Sequence, residues 1–323
     1  MLNLNVCDND PMPVYIVDKP LHLSSHDVVA RTRKLLKTRQ VGHAGTLDPL
    51  ATGVLVLLVK EATKLSPFLT AADKHYLAWV SFGAGTPTLD AEGPIDKEGD
   101  ASHLSAETIS AALPPFLDLT EQVPPQYSAI KKGGVKGYEA ARKGEVLKLE
   151  TRPATYKKIE MLAFEPDRAD LPTAFSLTPE GIWKANEQGL HVTLPEPLGN
   201  FPTALFYVSV GAGTYIRAFA RDLGEALGVP AHLSGLVRTR SGRNGLERAV
   251  KLEKIADAEG VSAADALPYP LIKLSDEEVA RVRQGQRLGL EFENRVGLVS
   301  KVNELVAVAE NVDGRMKLLR VWN

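Results

Sequence analysis

The sequence predicts an α+β protein with a large domain of mixed strands and helices, followed by a small β-rich domain at the C-terminus. Its 323 residues are enough for two domains with substantial cores. Short aliphatic runs alternate with amphipathic segments as far as Leu267-Pro-Tyr-Pro270, and the residues beyond alternate as short strands around Asn and Gly turns. We therefore predict a flexible N-terminus at residues 1–10, one domain at 11–267 and a second at 268–323.

The first half of the chain shows apolar runs that predict strands, and Ser residues followed by apolar positions at helical spacing that predict helices. In order, these elements are the strand Val14–Val17, the helix Ser25–Lys37, the strand Val54–Val59, the strand Tyr76–Phe82 and the helix Ser105–Leu113. Gly42–Gly53 is predicted to be a loop. The acidic residues 86–102, which contain Gly and Pro, predict a second, exposed loop.

The second half begins with Pro124–Ala129, which two prolines restrict to an extended path. Six prolines without a clear period between residues 165 and 202 indicate an insertion or arm. The remaining predicted elements are a helix at Tyr138–Lys143, the strand Leu205–Val210, a turn and helix within Gly211–Gly228, a helix opened by the capping box Ser275–Glu278, and the strands Val296–Val299, Leu305–Val308 and Leu318–Val321.

Composition excludes several classes of protein. With 44% hydrophobic and 24% charged residues, the chain is typical of soluble globular proteins. The longest aliphatic run, Val54–Val59, is too short to span a bilayer, and residues 1–10 lack a signal-peptide pattern. The single cysteine, Cys7, excludes an internal disulfide and a cysteine-based zinc site. We expect a cytoplasmic protein with no metal and no membrane association.

Charge is unevenly distributed along a chain whose net charge is only −2. Residues 31–43 hold five Lys or Arg and no acid, residues 131–143 hold five against one Glu, and residues 90–121 hold eight acids and one Lys. A third basic group is formed by Arg238, Arg240 and Arg243. Such segregation is typical of a protein with one basic face for nucleic acid, although solvated helix faces would give the same runs.

The Gly42–Gly53 segment is the most unusual stretch of the sequence. Asp48 precedes Pro49 and is therefore restricted in backbone conformation, and three glycines leave space for a bulky ligand. A rigid loop of this kind can present a carboxylate nucleophile, but an ordinary Asp-Pro turn is the interpretation that the residues alone favour. Arg217, one turn into the predicted helix, is placed to pair with a carboxylate, with a surface Arg as the alternative.

The segment Gly42-His-Ala-Gly-Thr-Leu-Asp-Pro-Leu-Ala-Thr-Gly-Val-Leu55 resembles the signature of the TruB-type tRNA pseudouridine synthases. Other blocks similar to that family occur in the expected order over roughly residues 14–250. They are Val17–Pro20, Glu61–Lys64, Lys74–Tyr76, Phe82–Gly93, Pro124–Lys131, Tyr138–Arg142, Gly213–Arg217 and Leu236–Arg238. With these companions, the nucleophile becomes the favoured interpretation of Asp48.

The resemblance implies a mixed, mainly antiparallel sheet flanked by helices, with a small PUA-like RNA-binding domain after it. The family's reaction is the isomerisation of uridine to pseudouridine, here at uridine 55 in the TΨC stem-loop of tRNA, with the target nucleotide flipped out. No cofactor is expected, because the reaction is redox-neutral and has no phosphoryl step. A monomer that needs no protein partner is expected as well.

The resemblance also implies roles for single residues. Asp48 attacks the uridine and Arg217 keeps it ionised, while Tyr76 stacks on the base and Leu236 helps to exclude water. His43 is expected to contact RNA beside the flipped nucleotide, with a structural histidine as the alternative. Further contacts to the RNA backbone are expected from Lys19, Lys64, Lys131, Lys132 and Arg238.

The chain departs from the family pattern at His22, where the family usually has Gly, and in residues 165–202, which are longer than expected. Three other classes remain as alternatives: a guide-RNA-dependent relative acting on ribosomal RNA, a non-catalytic tRNA-binding protein and a nucleoside hydrolase. The sequence of Pro49–Thr52 favours the stand-alone type over the first alternative, the guide-RNA-dependent relative. The joint presence of Asp48, Tyr76 and Arg217 argues against the second, and the basic runs argue against the third.

Overall fold

The computed structural model describes residues 12–127 and 149–323, together with the backbone of residues 131–132 and 135–136. The predicted flexible N-terminus and the predicted helix Tyr138–Lys143 lie outside the described residues. No helix in the described part of the chain is long and apolar enough to cross a membrane.

The described strands are β1 (Val14–Lys19), β2 (Val41–His43), β3 (Ala51–Val59), β4 (Lys74–Phe82), β5 (Ala84–Gly85), β6 (Lys97–Glu98), β7 (Glu121–Gln122), β8 (Lys131–Lys132), β9 (Val135–Lys136), β10 (Arg152–Pro153), β11 (Tyr156–Glu165), β12 (Ala174–Leu177), β13 (Trp183–Ala185), β14 (Leu190–His191), β15 (Thr203–Val210), β16 (Ala231–Ser241), β17 (Asn244–Gly245), β18 (Val250–Lys251), β19 (Leu271–Lys273), β20 (Arg295–Val299), β21 (Leu305–Val312) and β22 (Arg315–Val321). The described α-helices are α1 (Ser25–Leu35), α2 (Ser66–Thr70), α3 (Ala106–Ala111), α4 (Pro114–Leu117), α5 (Ile216–Ala226), α6 (Ala263–Ala266) and α7 (Asp276–Arg283). Short 3-10 helices cover Lys60–Leu65, Arg168–Asp170, Leu246–Arg248 and Leu252–Asp257.

A nine-stranded sheet forms the centre of the large domain, in the order β11-β15-β4-β16-β3-β1-β18, with β17 paired to β16 and β2 to β3. Only the β1–β18 and β3–β16 pairs of this sheet are parallel. The prediction of a mixed, mainly antiparallel sheet is therefore confirmed. Every residue of β3 is buried, as expected for a strand covered on both faces.

Two hydrophobic cores lie on the two faces of this sheet. On the first face, the sheet packs against apolar side chains of α1, α3, α4 and α5, including Val28, Phe116 and Phe219. On the second face it packs against α2, α6 and the segment 165–202. The predicted helix Ser25–Lys37 forms as α1: Ser24 caps it through a capping box with Asp27, which satisfies two backbone N–H groups at its start.

Residues 165–202 form a small ordered unit on the second face. Its three short strands pair antiparallel in the order β13-β12-β14. Phe175 is buried and meets Trp79 of the large sheet edge-on, with ring centroids 5.9 Å apart. The guanidinium of Arg168 donates to the carbonyls of Ser234 and Pro195 at 2.6 and 2.7 Å, which anchors the segment to β16.

The C-terminal residues form a four-stranded sheet in the order β19-β20-β21-β22. A third core, with Val282 of α7 and Leu298 of β20 at its centre, fills one face of this sheet. From the other face, Leu305 and Trp322 join the second core of the large sheet. The capping box that opens α7 at Ser275 forms as predicted. The division into two domains near Leu267 stays a prediction, since the two parts share hydrophobic core.

Two long strands of the large sheet were absent from the sequence-based prediction. β11 lies at its edge, and β16 lies in the middle between β3 and β4. β16 is buried on both faces along nearly its whole length, so its residues show no alternation of apolar and polar positions. Polar residues such as Ser234 and Arg238 further hide it, because their hydrogen bonds are satisfied inside the protein.

Candidate active site

The four residues predicted to be catalytic line one cavity of about 310 Å³. Asp48 precedes β3, Tyr76 lies on β4 and Leu236 on β16, three strands that are adjacent in the sheet. In the register of the sheet, Leu236 lies opposite Ala51 of β3 and Ala78 of β4. Arg217 reaches the cavity from the first turn of α5. Residues far apart in sequence are thus brought to one site.

The loop of residues 44–50, hereafter the Asp48 loop, is held from behind by hydrogen bonds to its carbonyl groups. Five consecutive carbonyls accept a hydrogen bond from a described residue. The acceptors and donors are Gly45 with Arg238, Thr46 with Arg238, Leu47 with Ser25, Asp48 with the amide of Ala51, and Pro49 with Lys19 and the amide of His22. A loop fixed at five consecutive residues can hold the Asp48 side chain in one place.

Arg238 and Lys19 are structural residues of the Asp48 loop, contrary to the prediction that they contact RNA. The Arg238 side chain is 1% exposed and donates to Val54, Gly45 and Thr46 carbonyls at 2.7, 2.9 and 3.3 Å. Lys19 has no exposed surface, and its ammonium donates to three carbonyls, one of which is that of Pro49. Neither cation has surface left to contact a phosphate.

Burial governs the charge state of two lysines near the cavity. It lowers the pKa of Lys19 to about 8, against the fields of Glu92 and Asp48, which raise it. It also lowers the pKa of Lys74 to about 8, with Arg238 acting in the same direction. Lys74 lines the cavity and donates to the carbonyls of Thr70 and Ala72 at the end of α2. It therefore ties that helix to the strand of Tyr76.

Gly53 allows β3 and β16 to approach closely beside the Asp48 loop. Its φ of +90° is a conformation that other residues rarely adopt, and a Cβ atom there would lie 2.3 Å from the carbonyl oxygen of Arg238. The glycine of the motif is thus required by backbone packing.

Asp48 and Arg217 form an ion pair at the edge of the cavity. The Asp48 Oδ2 and Arg217 Nε atoms are 2.9 Å apart, although the N–H is not aimed at the carboxylate and makes no hydrogen bond. The Asp48 side chain is 38% exposed, whereas that of Arg217 is 7% exposed. A buried guanidinium therefore stands behind a carboxylate that remains open to a substrate.

Asp90 is a second carboxylate partner of Arg217 that the sequence interpretation missed. Its Oδ2 atom lies 3.5 Å from Arg217 Nη1, and its side chain is almost fully buried. Burial raises the pKa of Asp90, while Arg217 and the hydrogen bond from Thr88 lower it. Asp90 belongs to the acidic segment that was predicted to be an exposed loop, so that prediction is wrong at this residue. The sequence signal that could have identified Asp90 is its position inside the family-like block Phe82–Gly93.

Two backbone carbonyls complete the surroundings of Arg217. Its Nη1 donates to the carbonyl of Thr88 and its Nη2 to that of Tyr127, both at 2.9 Å. These two hydrogen bonds help to fix the orientation of the guanidinium. Tyr127 thereby takes part through its backbone carbonyl.

Tyr76 and Leu236 form apolar walls of the cavity. Both are buried members of the first core, at 9% and 6% exposure, and both line the space in front of Asp48. An aromatic ring and an aliphatic side chain in these positions can hold a planar base and displace water from it.

His43 and Lys64, two further predicted RNA contacts, do not line this cavity. His43 is half-buried at the end of β2, where burial, then His26, then Arg238 lower its pKa. Its Nδ1 has no hydrogen-bond partner within the described residues. Lys64 is exposed and pairs with Glu61. The side chains of Lys131 and Lys132 fall outside what the structure describes, although their backbone forms β8.

Within residues 12–127 and 149–323, no three His, Cys, Asp or Glu side chains are grouped so that they could hold a metal ion.

Comparison with protein families matches two parts of this chain. Residues 33–177 match the N-terminal domain of the TruB family pseudouridylate synthases, and residues 217–269 match the tRNA pseudouridylate synthase B C-terminal domain. A protein of Thermus thermophilus named tRNA pseudouridine synthase B is 53% identical over 96% of this chain and 99% of its own length. This chain belongs to the TruB family. It is an isomerase that converts uridine to pseudouridine in tRNA.

A second relative agrees with membership of the TruB family, and a solved structure has a similar fold. A Deinococcus deserti protein, also named tRNA pseudouridine synthase B, is 50% identical over 96% of this chain and all of its own length. Among solved structures, a chain of a Cbf5-Nop10-Gar1 complex is similar with a TM-score of 0.66, over 96% of this chain and 84% of the other. At 24% sequence identity, that likeness shows the fold alone.

Proposed function

We propose that this TruB-family enzyme modifies uridine 55 in the TΨC stem-loop of tRNA and that Asp48 is its nucleophile. The observation that carries the proposal is the cavity in which an open carboxylate, its buried Arg217 partner, Tyr76 and Leu236 meet. No other carboxylate among the described residues combines exposure to this cavity with an ion pair from a buried arginine.

The proposed reaction rearranges one bond of the uridine. Asp48 attacks the nucleotide, the bond between N1 of the base and C1′ of the ribose breaks, and the base turns within the cavity. C5 then bonds to C1′, and the bond between Asp48 and the nucleotide breaks, which restores the free carboxylate. The hydrogen of C5 leaves to solvent, and N1 takes up a proton. The atoms of substrate and product are the same, so neither an oxidant nor a leaving group is needed.

The cavity walls support this chemistry in two ways. Tyr76 provides a flat surface for the turning base, for which stacking on an aromatic ring is worth about 1–3 kcal/mol. Leu236 occupies the space in which water would otherwise reach the reacting carbon. Because the site is a cavity and not a groove, the uridine has to leave the base stack of the RNA, and we propose that it is flipped out.

Contacts outside the cavity would hold the rest of the RNA. Exposed Lys64 is proposed to bind the phosphate backbone, and half-buried His43 to contact the RNA beside the flipped nucleotide. The four-stranded C-terminal sheet is proposed to act as a PUA-like RNA-binding domain. We further propose that the enzyme works in the cytoplasm as a monomer, without a cofactor or a protein partner. Light scattering of the purified enzyme during an activity assay measures its mass in solution and so tests whether it is a monomer.

The principal experiment follows release of tritium from C5. An unmodified tRNA stem-loop with tritiated uridine only at position 55 is incubated with the purified protein, with Asp48→Asn and with Asp118→Asn. Asp118 is exposed directly after α4, does not line the cavity and undergoes the same chemical change. We expect release by wild type and Asp118→Asn, and none above background by Asp48→Asn.

Each outcome of the tritium experiment tests a separate part of the proposal. Full release by Asp48→Asn would remove Asp48 from the nucleophile role. Release from tRNA tritiated at other uridines, but none from position 55, would contradict the proposed target while leaving the chemistry intact. Affinity for tRNA should fall steeply with salt, because the proposed contacts outside the cavity are to phosphates.

A further inference from the structure

The start of α5, which carries Arg217, is held by a side chain from another part of the chain. The helix has no side-chain cap of its own at Tyr215. Instead, the amide N–H of Tyr215 donates to Oε1 of Gln122 at 2.9 Å, across 93 positions of sequence. The first N–H groups of a helix have no partners within it, and a remote acceptor can fix where the helix begins.

Gln122 is almost fully buried, with 5% exposure, and uses both ends of its amide. While Oε1 accepts from Tyr215, Nε2 donates to the hydroxyl of Tyr156 at 2.7 Å. Asp222 lies against the same amide: burial raises its pKa, and the hydrogen bond from Gln122 is one of the contacts that lower it. The position therefore needs one acceptor and one donor on a neutral group.

Two further hydrogen bonds join α5 to the chain segment that follows Gln122. Arg221 Nη2 donates to the carbonyl of Val123 at 3.0 Å, and Arg217 Nη2 donates to that of Tyr127 at 2.9 Å. Two elements thus orient the guanidinium of Arg217: the helix α5 that carries it, and the segment after Gln122 that supplies the Tyr127 carbonyl. Gln122 is the most deeply buried of these contacts and the one nearest to the helix start.

We propose that Gln122 is a positioning residue of the reaction: by fixing the first turn of α5 against residues 122–127, it sets the place of Arg217 beside Asp48. Gln122 does not line the cavity and so acts through Arg217. The inference rests on the role proposed above for the Asp48–Arg217 pair. A shift of about 1 Å in a catalytic group typically costs about a hundredfold in rate.

The test uses Gln122→Glu and Gln122→Leu, with Gln188→Glu in an exposed turn as the matched control. A protonated glutamate has the same donor and acceptor as glutamine, whereas an ionised one lacks the donor. Burial raises the pKa of a carboxyl group, so a glutamate at this position should be neutral at mildly acidic pH. The charged and titratable groups that face it are Arg152, Tyr156, Tyr215, Arg221 and Asp222.

At pH 8 we expect Gln122→Glu and Gln122→Leu to lower kcat about a hundredfold, with KM for tRNA within about twofold of wild type. At pH 5.5, measured relative to wild type at the same pH, Gln122→Glu should recover at least about tenfold and Gln122→Leu nothing. Gln188→Glu should follow wild type at both pH values. Thermal unfolding and tRNA binding at each pH establish that the variants compared are folded.

Two results would overturn the proposal for Gln122. One is a kcat within about twofold of wild type for both variants at pH 8. The other is a loss that is equal at the two pH values and appears in KM to the same extent. Asp48→Asn in the same assay separates the proposals: if it is inactive while both Gln122 variants are active, only the role of Gln122 fails, and if it is active, the proposed nucleophile fails.

Discussion

Replacing Arg238 by methionine tests whether the Asp48 loop is held from behind by a buried cation. Methionine fills similar space without a charge or a donor. Wild-type Arg238 donates one hydrogen bond within the core, to the carbonyl of Val54, and two at its margin, to Gly45 and Thr46. The variant therefore leaves three carbonyl groups without this partner, two of them in the Asp48 loop.

The expected loss follows from the surroundings of each carbonyl. A fully buried acceptor left without a partner costs about 1–3 kcal/mol, and the two at the margin, which water can reach, about 1 kcal/mol each. Together these give a decrease of about 3–5 kcal/mol in the free energy of unfolding. A loop freed at Gly45 and Thr46 also places Asp48 less accurately, so kcat should fall by about a hundredfold.

Urea unfolding and tritium release measure these two effects. The control is Arg243→Met, which removes the same charge from an exposed turn two residues beyond β16. If Arg238 instead contacted a phosphate, its loss would leave the unfolding curve unchanged and make the salt dependence of tRNA binding shallower by about one ion. An unchanged unfolding curve together with this shallower salt dependence would refute the structural role that the three carbonyl partners of Arg238 indicate.

Three further predictions concern a glycine, a buried ammonium and a buried carboxylate. Gly53→Ala should cost more than about 3 kcal/mol of stability and Gly228→Ala about 1 kcal/mol, because both have positive φ but only the first meets a backbone atom, at 2.3 Å; equal losses in urea unfolding would contradict this. For Lys74, the unfolded chain holds a proton between pH 8 and 10.5 that the folded protein, with its pKa lowered by burial to about 8, has released. Stability of wild type relative to Lys74→Met should therefore rise with pH across that window, by up to about 3 kcal/mol, and a flat or falling difference would show that the ammonium is not destabilised. Asp90→Ala should lower the free energy of unfolding by about 3 kcal/mol, since it removes a buried partner of Arg217, and an unchanged unfolding curve would argue against that pair.

The sequence predicted the elements that carry a local signal. Ser275 precedes a helix and caps it as expected, and Ser24 caps α1 in the same way, because a capping box lies within four consecutive residues. The Gly42–Gly53 segment stood out for the same reason, since its glycines and its Asp-Pro step lie within one short stretch, but only the family resemblance favoured a nucleophile there. β16 could not be predicted, because a strand buried on both faces has no period-two pattern and can look like a loop when it contains Ser and Gly.

The sequence did not reveal whether a basic side chain of the site faces solvent or is buried. From the family resemblance, Lys19 and Arg238 were expected to contact RNA, yet both are buried and donate to backbone carbonyls. Asp90 was missed because an acidic segment indicates solvent exposure, whereas its side chain is buried beside Arg217. Burial of charge depends on partners that come from distant parts of the chain, and composition carries no information about them.

The position of β16 between β3 and β4 has a consequence for the order in which the enzyme can fold. Asp48 and Tyr76 belong to the first quarter of the chain, but their strands are neighbours of β16 and not of each other. A growing chain that has not yet reached Ala231 contains both residues and has no strand to join them. Contacts of such long sequence separation form slowly. Catalytic competence should therefore arise late in synthesis, after most of the polypeptide has been made, and an N-terminal fragment should bind no substrate in this cavity.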